Sequence, residues 1–393
     1  MQKIFTLMKK VVWQCYALTS ILLVVVLVWG LSGRLGGGGH AFRLLNFYAI
    51  IPGTLFIFGG FLGFKDARWK WVYPILFGIL MRLVVLQFAR LQVGMPLFGF
   101  IFAFSGMLIG VIARIILQKM SVKWQSKTKK TVIIFATISC AIILVHAVHA
   151  LTLDRIIEYR EVTFSSPNLP AELHGYKIAF ITDAHGMPSP RLQEVVDELN
   201  RREIDLLLLG GDFYHAHGDP WRSMSILSQT ITTDGIFGVE GNHDRHAILF
   251  EAKRENGIVP LSNSGVLLRD GFFLAGVEDM WNRNPCIATA TEGASHGDFV
   301  LLLSHNPDIS MQQDTTNIDL ILSGHTHGGQ VTFFGIWAPY FTFWDTITSY
   351  GQRFTSGWAV SRDGAAVFVS NGMGEYLPRV WARPQVVLIT LTQ

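Results

Sequence analysis

Two histidines stand two apart between glycines in "LSGHTHGGQ" (residues 322–330), directly after the apolar run "IDLIL". Histidine is only sometimes buried and glycine weakens strands, so packing alone does not ask for this arrangement. In an extended segment, residues two apart project to one side, so His325 and His327 can approach one ion or two adjacent ones. Four other stretches end in similar chemistry. "YKIAFITDAHG" (176–186) ends at Asp183 and His185, and "IDLLLLGGDF" (204–213) at Asp212. "GIFGVEGNHD" (235–244) ends at Asn242, His243 and Asp244, and "DFVLLLSHNPD" (298–308) at His305. Taken singly, each has an ordinary explanation: an Asp or Asn after a strand is a turn residue or helix cap, and a lone His is a satisfied surface or core residue. The ordered set of five is harder to assign to coincidence.

Those side chains need elements that bring them together. Each stretch has the length and apolar content of a buried strand, and "PRLQEVVDELNRR" and "DPWRSMSILSQTI", lying between the first three, have helical spacing. Buried strands alternating with helices predict a sheet covered on its faces, with a ligand crevice outside the carboxyl ends of the strands. The α/β part is expected over residues 154–393.

The order D-x-H, G-D, G-N-H-D, a lone His and G-H-x-H resembles the calcineurin-like metallophosphoesterases, at "DAH" 183–185, "GD" 211–212, "GNHD" 241–244, His305 and "GHTH" 324–327. "GHTHGGQ" and "NGMGEYLPRVWARPQVVLITL" (371–391) are similar to a bacterial membrane-associated branch of that superfamily. The resemblance covers about residues 155–393. It implies layered β-sheets flanked by helices and two divalent metal ions bridged by Asp212. Asp183, His185 and His327 would complete one site, and Asn242, His305 and His325 the other. It also implies hydrolysis of a phosphoester by in-line attack of a metal-bridging hydroxide on phosphorus. His243 would stabilise the transition state or protonate the leaving oxygen, with Asp244 orienting it. Imidazole and oxygen donors without a thiolate suit Mn, Fe or Zn, and Mg less well. The branch often has an acidic residue soon after "GD"; here Tyr214, His215 and His217 stand in that neighbourhood.

The first 153 residues have a different texture. The 393-residue chain is 50% hydrophobic and 16% charged, with a mean hydropathy of +0.35, which points to a portion in lipid. Apolar runs at 11–31, about 44–64, 71–88, 95–112 and 131–153 suggest a domain of about five membrane-spanning helices, an uncleaved first helix among them. Basic residues concentrate in alternate loops, which would place the heavily basic ones in the cytoplasm and the catalytic domain outside the cell (inner) membrane. Arg82 falls within the third run, where an arginine is either functional or turned to a bundle interior. The fold expected overall is thus a multi-span α-helical membrane domain (1–153) followed by an α/β metallophosphoesterase domain (154–393).

A net charge of +3 lacks the strongly basic footprint of a nucleic-acid binder. Three scattered cysteines supply neither a disulfide framework nor a thiolate site. The aromatic stretch "VTFFGIWAPYFTFWDTITSY" (331–350) follows the last histidines and reads as core packing or as an interfacial belt. The second reading makes membrane lipids partners and allows a phospholipid or lipid-linked phosphoester substrate. The competing functions are a transporter or sensor using Arg82, His146 and His149 with a regulatory metal domain, and a non-catalytic metal-binding scaffold.

Overall fold

The computed structural model of the chain describes residues 148–214, 219–343, 347–374 and 379–393, with scattered helical residues between 75 and 146. Two compact units are distinguished, Met1–Ile143 and Leu144–Gln393. The second carries all twelve named strands, in two six-stranded sheets. They are β1 (Glu158–Ser165), β2 (Lys177–Ile181), β3 (Leu206–Leu209), β4 (Ile236–Gly238), β5 (Val259–Pro260) and β6 (Ser264–Arg269), followed by β7 (Phe272–Gly276), β8 (Phe299–Leu303), β9 (Leu320–Ser323), β10 (Gly357–Val360), β11 (Ala366–Val369) and β12 (Gln385–Thr392). The first sheet runs β1-β12-β2-β3-β4-β5 and the second β10-β11-β9-β8-β7-β6.

Successive side chains of a strand point to opposite faces, and here both faces are dry. Ile178 and Phe180 of β2, Leu206 and Leu208 of β3, Phe299, Leu301 and Leu303 of β8, and Leu320 and Leu322 of β9 share one core between the sheets. The alternate residues Ala179, Ile181, Leu207 and Leu209 turn outward. They meet helices α1 (Ser189–Arg202), α2 (Pro220–Leu227) and α3 (His246–Glu255), whose Leu192, Val195, Leu199, Met224 and Leu249 are buried. On the far side, Val300, Leu302 and Ile321 cover α4 (Ile287–Ala290) and α5 (Ile309–Gln312) through Ile287, Ala290 and Ile309. The result is a helix–sheet–sheet–helix sandwich. It accounts for continuous apolar runs such as "LLLL" at 206–209, which alternation alone could not have oriented.

Strands β2, β3, β4 and β5 are mutually parallel, as are β7, β8, β9 and β11. The residues singled out in the sequence therefore leave the carboxyl ends of β2, β3, β4, β8 and β9. Helix α2 begins where its sequence suggests, with the Asp219 carboxylate accepting the Arg222 amide at 3.2 Å.

The multi-span membrane domain is corrected. Among the described residues no helix is long and apolar enough to cross a membrane. Hydropathy found runs of apolar residues, but a crossing needs one continuous helix of about 20 residues. Of the five proposed spans, 11–31 and 44–64 lie wholly outside the described residues, 71–88 and 95–112 mostly so and 131–153 in part, and Arg82 lies outside them as well.

Candidate metal centre

The candidate ligand residues sit where the chain turns off each strand. Asp183, His185, Asp212, His325 and His327 all have positive φ, between 47° and 68°. That region is disfavoured for residues with a Cβ, and such strain persists where the surrounding structure over-determines it, characteristically at functional sites. Here the restraint comes from cross-connections between turns. Asp183 N donates to Gly211 O and His185 N to Asp212 O, both at 2.9 Å. His325 N donates to the Asp183 carboxylate at 3.0 and 3.2 Å.

Two groups of donors result. In the first, His185 Nε2 lies 3.0 Å from His327 Nε2 and 3.8 Å from Asp183 Oδ1, while His327 Nε2 is 3.4 Å from Asp183 Oδ1. In the second, His305 Nε2 lies 3.3 Å from Asp212 Oδ2, 3.2 Å from Asn242 Oδ1 and 4.0 Å from Asp183 Oδ1. Asp212 Oδ2 also faces His185 Nε2 at 3.6 Å, so this carboxylate stands between the groups. Within Asp183, His185 and His327, and within Asp183, Asp212 and His305, one donor atom from each residue lies within 4.8 Å of the others.

Ring orientations follow from main-chain partners. His305 Nδ1 is 2.9 Å from the carbonyl of Gly210, which can only accept, so Nδ1 carries a hydrogen and Nε2 is the nitrogen left to face a metal ion. His325 Nε2 is 3.0 Å from the carbonyl of Ile347, which leaves Nδ1 as its electron-pair donor. The His325 ring stacks edge-on to that of His305, 5.1 Å away.

The electrostatics describe a cavity that demands positive charge. Burial disfavours a charged His305, yet Asp212 and Asp183 outweigh it and push this imidazole up to about 10. Asp212 is opposed by burial but held well below the usual carboxylate range by His305, His185 and His243. Burial, followed by the charge of His305, lowers His325 to about 3. Burial and His185 keep His327 far below its ordinary value. His325 and His327 are thus held neutral beside buried carboxylates, and His305 would exchange its proton for a metal ion, a donor set fitted to divalent cations.

His243 and Asp244 occupy different places. The amide of His243 donates to Asp212 Oδ1 at 2.8 Å, while its ring is exposed at the rim, 5.3 Å from the ring of His185. Asp244 accepts main-chain N–H groups from Asp212 at 2.7 Å and from Gly241 and Tyr214 at 2.9 Å each. This geometry makes Asp244 the staple between the "GGDFY" and "GNHD" turns. His215 and His217 lie outside the described residues. His149 stacks on Trp381 at 3.8 Å and pairs through Nδ1 with Asp154 at 2.8 Å; His146 sits among Phe333, Phe334 and Trp381. Both belong to packing at the start of the second unit.

One rim segment escaped the sequence reading. After β7, "GVEDMWN" (276–282) brings Asn282 Nδ2 within 2.7 Å of the Asn242 carbonyl and the half-exposed Trp281 ring edge-on to His325, 4.7 Å away. Its signal was available: "FFLAGVED" is one more apolar run ending in acidic residues.

Residues 176–329 match the calcineurin-like phosphoesterase family model. An uncharacterized metallophosphoesterase of Helicobacter pylori is 29% identical over 211 residues, 50% of this chain and 54% of that protein. The phosphodiesterase YaeI of Escherichia coli is 26% identical over 55% of this chain and 82% of its own length. A zebrafish (Danio rerio) relative named "transmembrane protein with metallophosphoesterase domain" is 27% identical over 59% of this chain and 57% of its own length. The match thus spans about half the length of the Helicobacter relative. Residues 176–329 thus form a calcineurin-like phosphoesterase domain, that of a metal-dependent phosphoesterase.

Proposed function

We propose that the domain hydrolyses phosphoesters with two divalent cations. Asp183, His185 and His327 would hold one, and Asn242, His305 and His325 the other, with Asp212 serving both. The observation that carries this reading is the orientation of His305. Its Nδ1–H is committed to Gly210, so Nε2 is the atom turned to Asp212 Oδ2 and Asn242 Oδ1, where a divalent cation would take the place of the proton that the metal-free imidazole shares with Asp212. When bound, two such ions would supply a water-derived nucleophile near neutral pH and charge stabilisation for displacement at phosphorus. The chain supplies the rest. Main-chain bonds hold Asp212 and Asp183 in place. His243, exposed at the rim, gives a proton to the leaving oxygen. Trp281 and Asn282 wall the side near His325. A diester is favoured by the name of the Escherichia coli relative.

The test uses metal-stripped protein, bis(p-nitrophenyl) phosphate and p-nitrophenyl phosphate, with Mn, Zn or Mg restored separately. Turnover should vanish on stripping, return with Mn or Zn, and be faster on the diester. Undiminished turnover without metal, or a fully metallated protein inert toward both esters, would overturn the proposal.

A lipid-bearing substrate is the finer reading. It is supported by the exposed Phe333, Phe334, Ile336 and Trp337 on the segment that follows His327, Ile336 being 85% accessible. Equal turnover of a long-chain phospholipid and its water-soluble headgroup diester would remove that support.

A further inference from the structure

We propose that Arg379 is a positioning residue for the Asp183–His185–His327 group and not for the group around His305; this rests on the two-cation reading above. Arg379 is 1% exposed and is the largest fully buried side chain among the described residues. A guanidinium in a dry interior is unfavourable unless its donors are matched. These are matched by main-chain carbonyls. Nε donates to Gly374 O at 3.0 Å, and the terminal nitrogens donate to Asn371 O at 3.0 Å, Ala382 O at 2.9 Å and Gly372 O at 3.4 Å. One planar fork therefore ties residues 371–374 to Ala382.

Residues 371–374 form the back wall of the Asp183–His185–His327 group, touching the group around His305 only through the shared Asp183. Gly374 N donates to Asp183 O at 2.7 Å and Met373 N to Thr182 O at 2.9 Å. A Cβ on Gly372, whose φ is +68°, would lie 2.5 Å from the Asp183 Cβ. One on Gly374 would lie 3.3 Å from His185 Cδ2, and one on Gly328, next to His327, 2.4 Å from Asn371 Oδ1. The wall thus backs onto Asp183, His185 and the turn carrying His327. The other group rests on different supports: Gly210 for His305, Asn282 for Asn242 and Ile347 for His325. From the far side, Asp154 accepts the amides of Trp381 at 2.9 Å and Ala382 at 3.2 Å, fixing the other end of the same strap.

The experiment titrates metal-stripped full chain with Mn²⁺ by calorimetry and records the electron paramagnetic resonance spectrum at saturation. Wild type, Arg379→Lys, Arg379→Gln and Gly372→Ala are compared, each checked for folding by circular dichroism. Lysine keeps the charge but lacks the fork, so it should not rescue. Wild type should take two ions and show a spin-coupled pair. Each variant should keep one site unchanged and lose about 10–100-fold in affinity at the other, the scale for losing support behind a ligand, with the coupled signal replaced by isolated Mn²⁺. Gly372→Ala disturbs the wall with Arg379 in place and decides the matter if the arginine variants do not fold. Folded variants that bind both ions like wild type, or weaken both equally, overturn the assignment. A wild type that binds fewer than two ions overturns instead the reading on which it rests.

Discussion

Gly324, between β9 and His325, is where one methyl group separates packing from chemistry. Its backbone lies outside the left-handed region, so alanine is conformationally acceptable there. In open space the change would stabilise by about 0.4–1 kcal/mol, through lower entropy of the unfolded chain. Space is lacking. A Cβ at this position would stand 2.2 Å from Asp183 Oδ2, 2.4 Å from Thr182 Oγ1 and 2.7 Å from Thr182 Cγ2. Opening the tightest contact to 3.0 Å takes a shift of roughly 0.8 Å. Overpacking of this kind costs about 1–3 kcal/mol, which at its middle value outweighs the entropic gain and leaves a net loss of up to roughly 2.6 kcal/mol. For a domain of this size that lowers Tm by up to roughly 10 °C. The group that must yield is a metal-facing carboxylate, and a misplacement of about 1 Å at a reacting centre can reduce turnover by about 10²-fold. Gly324→Ala should therefore fold, melt slightly earlier and lose most of its kcat/KM. Melting is measured on metal-stripped protein, so that ion binding does not enter, and activity on the Mn²⁺-loaded form with bis(p-nitrophenyl) phosphate. A variant that melts higher than wild type and turns over equally well would refute the steric reasoning.

His243→Ala should retain both ions by calorimetry yet lose about 10²–10⁴-fold in kcat on an alkyl leaving group, and much less on p-nitrophenolate, which needs no proton; equal losses on both would deny it the acid role. Asp308 is buried and accepts the Thr348 hydroxyl and, at 2.8 Å, the Ser349 amide, anchoring the segment whose Ile347 carbonyl orients His325. Asp308→Ala should destabilise by about 1–3 kcal/mol in urea unfolding by leaving those donors unmatched, and no loss would show that the segment is held otherwise. Burial would raise the Asp234 carboxyl, but its hydrogen bonds from Arg269 (2.7 and 2.9 Å) and Tyr176 lower it below the usual range. A lowered folded-state value means stability that is present above about pH 4 and lost as acid titrates the group. Asp234→Asn should thus be less stable than wild type by about 0.2–1 kcal/mol at pH 7, the partly exposed Arg269 keeping the figure small, and the two should converge toward pH 3; a gap that widens in acid would reverse the assignment.

How much of this was legible depended on whether the information lay in side chains or in the main chain. The five apolar runs ending in His, Asp or Asn were readable because strands buried on both faces leave no polar residue until the chain reaches the rim. Helix α1 was readable from its spacing. The pairing of β1 with β12, residues 158–165 against 385–392, was not, since register between distant segments leaves no local pattern. Nor was the backbone at the ligands. Local propensity argues against positive φ at Asp183, His185, Asp212, His325 and His327, and only the sheets behind them make it tolerable.

The amino-terminal reading shows the reverse weakness. Hydropathy reports apolar length and says nothing about whether one uninterrupted helix forms, and the described residues contain no such helix. The stretch from Asn371 was singled out by resemblance, but the support that residues 371–374, Arg379 and Ala382 give the site escaped for a third reason. It acts through glycines that permit close approach and through carbonyls that receive Arg379, and neither bears a side-chain signature. A metal centre whose ligands are plain in the sequence can therefore depend on a wall that is not, and mutational scans confined to His and Asp would leave that wall unprobed.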